Sequence, residues 1–170
     1  MPPVPISNLR AVLIAISLTF AVFSSDFALQ AKALPSDGCA LLPGGQLAKV
    51  LGQPFGPPAK TTAPAAQDQV IGTDCTYQTT KGLPRKVLFR IYLDPSTAVA
   101  KDTFTKLSAY FAPNRAVPGI GDTAYLDASH AIHVQKGRVR YYLNIAPVGT
   151  DTATAEKQLQ ALATWVAAQL

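Results

Sequence analysis

Two kinds of hydrophobic pattern alternate along residues 34–170, and together they predict a mixed fold. Residues 86–93 alternate between apolar and polar positions, which is typical of a strand with one buried face. Between residues 100 and 111, apolar side chains instead recur at intervals of four, three and four, which is typical of a helix. Gly- and Pro-containing turns separate these segments from shorter runs of both kinds.

The predicted elements follow the order α-β-β-α-β-β-β-α. Helices are predicted at 45–51, from a cap at Asp94 or Ser96 to a stop at Pro113, and at 152–170; strands are predicted at 70–80, 86–93, 123–127, 130–136 and 138–146. Residues 53–69, rich in Pro, Ala and Thr, are predicted to form a surface loop. Because tight turns link consecutive strands, we expect an α+β domain in which helices pack on an antiparallel sheet.

Residues 1–33 have the pattern of a secretory signal peptide. Arg10 precedes an uncharged apolar run at residues 11–23, and small residues follow, which predicts cleavage after Ala33, with Ala31 and Ala28 as alternative sites. A retained anchor is the rival interpretation, but a membrane-spanning helix needs about 20 apolar residues. We therefore predict a single extracytoplasmic domain, secreted or periplasmic, at residues 34–170, with no transmembrane anchor after cleavage.

The two cysteines of the chain, Cys39 and Cys75, are predicted to form a disulfide. In an oxidising compartment, an even number of cysteines in a small domain favours pairing. Two cysteines without neighbouring His or Cys ligands are a poor zinc site. The residues 36–38 before Cys39 include an acidic side chain and lie far from the apolar run, so they do not form a lipobox.

Three short motifs carry a resemblance to a known family. They are Cys39-Ala40-Leu41-Leu42 before a helix ending in Leu51-Gly52, then Asp74-Cys75-Thr76-Tyr77, then Val117-Pro118-Gly119-Ile120-Gly121-Asp122-Thr123-Ala124. In this order the motifs resemble a family of bacterial secreted and lipoprotein domains of unknown function, and they are similar to extracellular sensor domains of membrane Ser/Thr kinases. The resemblance implies a disulfide-linked α+β domain outside the cytoplasm. It implies no catalytic residues.

The polar face of the predicted sheet is the candidate binding site. If the apolar side chains of residues 139–145 face the helices, the alternate residues share the other face with their counterparts in residues 86–93. Arginines bind carboxylates or phosphates in a bidentate manner, and tyrosines supply flat amphipathic contact area. The alternative is a solvated outer face. The candidate ligand-binding residues are Arg90, Tyr92, Arg138, Arg140 and Tyr142.

The arginines and tyrosines on the polar sheet face favour a non-enzymatic binding or sensor-like domain. Its candidate ligands are an anionic envelope polymer, a lipid headgroup or an envelope protein. The formal net charge of +5 is too small to indicate nucleic-acid binding. The second hypothesis is a structural or accessory envelope protein that acts through protein–protein contacts, and the third is a hydrolase.

The sequence gives no indication of catalysis, a metal or a cofactor. In a strand, His130 and His133 would point to opposite faces, which argues against a shared metal ion. Ser129 lacks the surrounding G-x-S-x-G motif of a nucleophile elbow. Asp122 and Asp127 could be proposed as paired catalytic carboxylates, but both lie in predicted turns, where Asp is common. Gly119-x-Gly121, too short for a dinucleotide-binding motif, precedes a strand.

Overall fold

The computed structural model describes residues 37–63, 71–146 and 151–170. The predicted signal peptide and its cleavage site lie outside the described residues. The helices are α1 (Gly44–Leu51), α2 (Thr97–Tyr110) and α3 (Thr152–Gln169); the strands are β1 (Ala59–Thr62), β2 (Ile71–Gln78), β3 (Lys86–Leu93), β4 (Arg115–Ala116), β5 (Thr123–Leu126), β6 (Ile132–Lys136) and β7 (Val139–Ala146).

All the strands of the described residues belong to one antiparallel sheet, in the order β1-β2-β3-β7-β6-β5-β4. The predicted α+β class and antiparallel sheet are confirmed. The predicted order lacks β1, which falls in the predicted loop at 53–69, and β4, which follows the predicted stop of α2 at Pro113. Neither edge strand shows an alternating pattern, because β1 has four exposed residues and β4 has only two residues, both exposed.

The first face of the sheet packs against α3, which in turn contacts α1. The predicted apolar stripe of α3 is buried here, and the Tyr141 hydroxyl donates a hydrogen bond of 2.6 Å to the Ala163 carbonyl. Most of the buried apolar side chains lie on this face. Each buried Leu, Val or Phe contributes about 1.5–3 kcal/mol relative to an exposed one. Its buried sheet residues include Val87, Phe89, Ile132, Val134, Tyr141 and Leu143.

The second face of the sheet is partly covered by α2, which contacts β6 and β7. Phe104 of α2 packs on Tyr125, and Phe111, the C-cap of α2, packs on His133, with ring centroids 5.1 Å apart in each case. Helix α2 therefore covers the polar side of the sheet at its β5–β7 end. The physical reason is that Tyr125 and His133 give that end an aromatic surface.

The predicted disulfide is confirmed. Cys39 lies in a 3-10 turn (Gly38–Leu41) and bonds to Cys75 of β2, with an S–S distance of 1.98 Å and a Cα–Cα distance of 5.7 Å. Both cysteines are buried. The bond ties the segment before α1 to β2, the strand next to the β1 edge of the sheet.

Helices α2 and α3 each have a side-chain N-cap, and that of α2 is one of its two predicted caps. The Ser96 hydroxyl accepts a hydrogen bond from the Val99 N–H, and the Asp151 carboxylate accepts one from the Thr154 N–H. Asp94, the other predicted cap of α2, is not used as a cap. In the described ranges, no helix combines the length and the apolar character needed to cross a membrane.

Candidate functional site

The strand register arranges the second face of the sheet as two parallel rows of side chains. Each row runs across β2, β3, β7, β6 and β5, because residues opposite each other in antiparallel strands lie on the same face. The first row is Gly72, Tyr92, Arg140, Gln135 and Thr123. The second row is Asp74, Arg90, Tyr142, His133 and Tyr125.

Arg90 forms a bidentate pair with Asp74 at the less covered end of the second row. Its Nε and Nη2 atoms donate to the two carboxylate oxygens at 2.5 and 2.6 Å. The hydrogen bonds with Asp74 raise the pKa of Arg90 above its usual value. The Arg90 side chain remains 32% exposed, so the pair contributes a charge-neutral, half-exposed planar surface.

Arg140 is also neutralised, but deep in the fold. It donates from Nε and Nη2 to Asp94 at 2.6 and 3.0 Å, and the two side chains are 4% and 0% exposed. Its guanidinium lies 5.1 Å from the centre of the Tyr92 ring. Arg140 is thus a buried structural residue rather than a free anion-binding group.

Arg138 lies apart from the other candidate residues, in the turn between β6 and β7, just before the first residue of β7. It is exposed, and its backbone carbonyl accepts a hydrogen bond from the Asp94 N–H. The predicted strand 138–146 therefore starts one residue too early. Of the candidate arginines, Arg138 is the one whose guanidinium is most available to a ligand.

His133, which the sequence assigned to an ordinary strand position, lies at the centre of an aromatic cluster. It stacks on Tyr125 at 4.6 Å with an angle of 11° between the ring planes, and it meets Tyr142 edge to face at 4.9 Å. Phe111 covers it from α2. Burial raises the pKa values of Tyr125 and Tyr142 above their usual value, so both phenols stay protonated.

Asp127 is the hydrogen-bond partner of His133. The His133 Nε2 atom lies 2.8 Å from Asp127 Oδ2, and the side chains are 9% and 6% exposed. Asp127 Oδ1 accepts hydrogen bonds from the Ser129 hydroxyl, the Ser129 N–H and the Ala131 N–H. Burial acts to raise the pKa of Asp127, but the hydrogen bonds outweigh burial and lower it. The carboxylate is therefore ionised, and His133 Nε2 donates to it.

This arrangement differs from a serine hydrolase triad. In a triad the histidine lies between the serine and the carboxylate and receives the serine proton. Here the Ser129 hydroxyl donates to Asp127, and Asp127 lies between Ser129 and His133. The carboxylate therefore holds a turn and a ring in place.

His130 is in a turn, not in the strand where the sequence predicted it. Its φ of 62° is the one positive value outside glycine in the described residues. Its Nδ1 atom lies 2.9 Å from Glu156 of α3, whose other carboxylate oxygen accepts from Arg115. The hydrogen bonds from Arg115 and His130 lower the pKa of Glu156. His130 and His133 thus pair with different carboxylates, and the described residues hold no group of three or more potential ligands placed to bind a metal ion.

We define the tyrosine–arginine strip as Tyr110, Phe111, Tyr142, Arg90 and Tyr92. It begins at Tyr110, which is 80% exposed and meets Phe111 edge to face at 5.1 Å. Phe111 and Tyr142 both contact His133, which lies beneath them. Tyr142 is the cross-strand neighbour of Arg90. The strip therefore runs from the end of α2 across β7 to β3.

The structure brings together three of the five predicted ligand-binding residues, Arg90, Tyr92 and Tyr142, in this strip. Arg140 belongs to the same face but is buried, and Arg138 lies in the turn at the end of β7. The sequence missed Tyr110 and Phe111, because they belong to a helix that was not assigned to this face. The signal available was the presence of Phe104 and Phe111 in the apolar stripe of α2, because two such rings require an aromatic or apolar surface to pack against.

Gly72 gives the strip one of its close packing contacts. A Cβ atom at this position would lie 2.9 Å from the Tyr92 ring and 3.0 Å from Ala63. We expect Gly72→Ala to displace the Tyr92 ring and to lower the free energy of unfolding by about 1–3 kcal/mol, measured by urea denaturation. Gly45→Ala, where a Cβ meets no atom within 4 Å, is the control. Equal stability of both variants would contradict the contact.

A comparison with known protein families finds none whose model matches the sequence, and a comparison with characterised proteins finds no significant match.

Proposed function

We propose that this chain is an exported, non-enzymatic binding domain that recognises an amphipathic envelope component through the tyrosine–arginine strip. One observation carries the proposal: Arg90, which is 32% exposed, is the cross-strand neighbour of Tyr142, and ring contacts link Tyr142 through His133 and Phe111 to the exposed Tyr110. Tyr, Phe and Arg are enriched in recognition surfaces. The aromatic rings give large contact areas with few rotatable bonds, and the guanidinium adds a planar group that donates hydrogen bonds.

The charge distribution supports an amphipathic ligand over a strongly anionic polymer. Arg90 and Arg140 each hold an internal carboxylate in a bidentate pair, so neither presents an unpaired positive charge. A polyanion would have to displace Asp74 or Asp94, and the Asp94 side chain is fully buried. Arg138, in the turn before β7, adds one exposed cation for an anionic group on the ligand.

The Cys39–Cys75 disulfide supports action outside the cytoplasm. Together with the predicted signal peptide, it is consistent with a secreted or periplasmic protein. The resemblance to bacterial secreted and sensor-type domains points to the same compartment, and we propose it on that basis.

Binding to isolated envelope material tests the proposal. The probes are phosphatidylglycerol vesicles, protein-free cell-wall glycan and detergent-solubilised envelope protein. We expect binding to a protein-free probe, and we expect Tyr110→Ser to weaken it about tenfold, as for truncation of an interface anchor residue. Arg138→Ser is expected to weaken binding mainly at low salt, because high salt already screens the exposed charge of Arg138 in the unmodified protein.

The matched controls lie on the opposite side of the molecule. Trp165→Ser removes an exposed aromatic side chain of α3, and Lys157→Ser removes an exposed cation of the same helix. Both should bind like the unmodified protein. Equal weakening by Tyr110→Ser and Trp165→Ser would refute the assignment of the site to the strip.

The second candidate is an accessory envelope protein that acts through protein–protein contacts. The 80% exposure of Tyr110 favours it, since such an aromatic side chain commonly inserts into a partner protein. Binding to solubilised envelope protein alone, with none to vesicles or glycan, would select this candidate. Loss of that binding in Tyr110→Ser would still locate the contact on the strip.

A further inference from the structure

The C-terminal end of α2 rests on a titratable side chain. The Phe111 N–H donates to the Leu107 carbonyl at 2.9 Å, which closes the last turn of the helix. The Phe111 ring lies on the imidazole of His133. The position of the Tyr110–Phe111 end of the strip therefore depends on a side chain that can gain a proton in acid.

His133 is surrounded by β5, β7, the turn after β5 and the end of α2. β5 contributes the stacked Tyr125 ring, β7 contributes Tyr142, and the turn after β5 contributes the Asp127 carboxylate. The contacts from α2 are the rings of Phe104 on Tyr125 and Phe111 on His133, while the charged residues of α2 are exposed. In the neighbouring row, the Arg140 charge is compensated by Asp94. The exposed charged residues of α2 are Lys101, Asp102 and Lys106.

We propose that His133 is an acid-sensitive latch for the end of α2. When the imidazole gains a proton, Phe111 lifts from the sheet, and the Tyr110–Phe111 end of the strip separates from Tyr142. This inference rests on the proposed function, because it describes how binding by the strip would be regulated. It places the strip in its closed arrangement at neutral pH and in an opened arrangement in acid.

The physical basis is the cost of removing the charged imidazole from water. Burial lowers the pKa of His133 below its usual value, although the Asp127 carboxylate opposes this effect. An arrangement in which Phe111 has lifted lets water reach the imidazole, so that arrangement binds a proton more tightly. Falling pH therefore shifts the population toward it, by up to about tenfold for each pH unit separating the two pKa values.

The sign of the effect on stability follows from the same shift. A folded-state pKa below the unfolded value means that the folded protein binds fewer protons. The contribution of His133 to stability is then complete above about pH 6.5, the unfolded value, and is lost as the pH falls below it. Falling pH therefore favours both the opening of the latch and global unfolding, so the two must be measured separately.

Amide hydrogen exchange at pH 7.5 and 5.0 separates local opening from global unfolding. We expect the protection factor of the Phe111 amide to fall about tenfold on acidification, while that of the buried Leu143 amide in β7 falls much less. His133→Phe, which keeps a ring but cannot titrate, should abolish the selective change. His130→Gln, at the exposed histidine, should retain it.

Unchanged Phe111 protection in the unmodified protein, or a selective change that persists in His133→Phe, would overturn the latch. If His133→Phe does not fold, Asp127→Asn provides the second variant. It keeps the Oδ1 acceptor of Ser129 and Ala131 but removes the charge that favours the imidazolium. We expect the NMR titration midpoint of His133 to move to lower pH, and an unmoved midpoint would also contradict the proposal.

The two proposals fail independently. Hydrogen exchange uses the protein alone, so a failed latch leaves the Tyr110-dependent binding intact. Binding that is unaffected by Tyr110→Ser would remove the proposed site, and the exchange of the Phe111 amide would still report on the latch.

Discussion

Arg140→Ala is expected to lower the free energy of unfolding by about 3–5 kcal/mol, because it leaves a fully buried carboxylate without its cation. Asp94 is 0% exposed and accepts two hydrogen bonds from Arg140. The same change removes the guanidinium that lies against the Tyr92 ring. Urea denaturation followed by far-UV circular dichroism at pH 7.5 measures the loss.

Arg138→Ala is the matched control, two residues away along the chain and exposed. It should change stability by no more than about 0.5 kcal/mol. Arg140→Met combined with Asp94→Leu should regain most of the stability, because apolar residues of similar volume commonly replace a buried ion pair without loss. A loss below about 1 kcal/mol for Arg140→Ala would mean that the pair does not form as described.

Cys39→Ser with Cys75→Ser is expected to cost up to about 4 kcal/mol. The disulfide joins residues 36 positions apart, and without it the unfolded chain regains the conformational freedom of that loop. Two buried hydroxyls also replace the sulfurs, since both positions are buried. Thermal unfolding and urea denaturation of the double variant provide the measurement.

The double variant Cys39→Ala with Cys75→Ala separates the two contributions. It removes the cross-link without introducing buried hydroxyls, so it should be somewhat more stable than the serine variant but less stable than the disulfide-bonded protein. Alanine and serine variants as stable as the oxidised protein would show that the cross-link contributes nothing to folding stability.

The local pattern predicted the sheet well and the helix contacts poorly. Alternation in residues 86–93 and Gly-containing turns are local signals, and they placed β3 and β5–β7 within about two residues of their positions. The stripe of α2 was also predicted, but not the sheet face that it covers. An apolar stripe indicates that a helix has a buried side. Only the arrangement of the chain in three dimensions determines which surface that side packs against.

The roles of the arginines show the same distinction. Arg90, Arg138 and Arg140 have similar sequence surroundings, since each is close to a tyrosine or valine in or next to a predicted strand. Arg90 pairs with Asp74 because β2 lies beside β3. Arg140 pairs with Asp94 because β3 lies beside β7, which places the residue after Leu93 next to the start of β7. Asp94 itself was predicted as a helix cap, a local role that Ser96 fills instead.

The sequence by itself determined the class of the fold, the pairing of its two cysteines and the polar character of one sheet face, because these depend on composition, spacing and period. The tertiary structure decided which arginines remain available, which end of the sheet α2 covers, and that His133 meets Asp127 beneath Phe111. These contacts join residues from different elements, and their partners are set by strand register and helix placement. Neither can be read from the local order of residues.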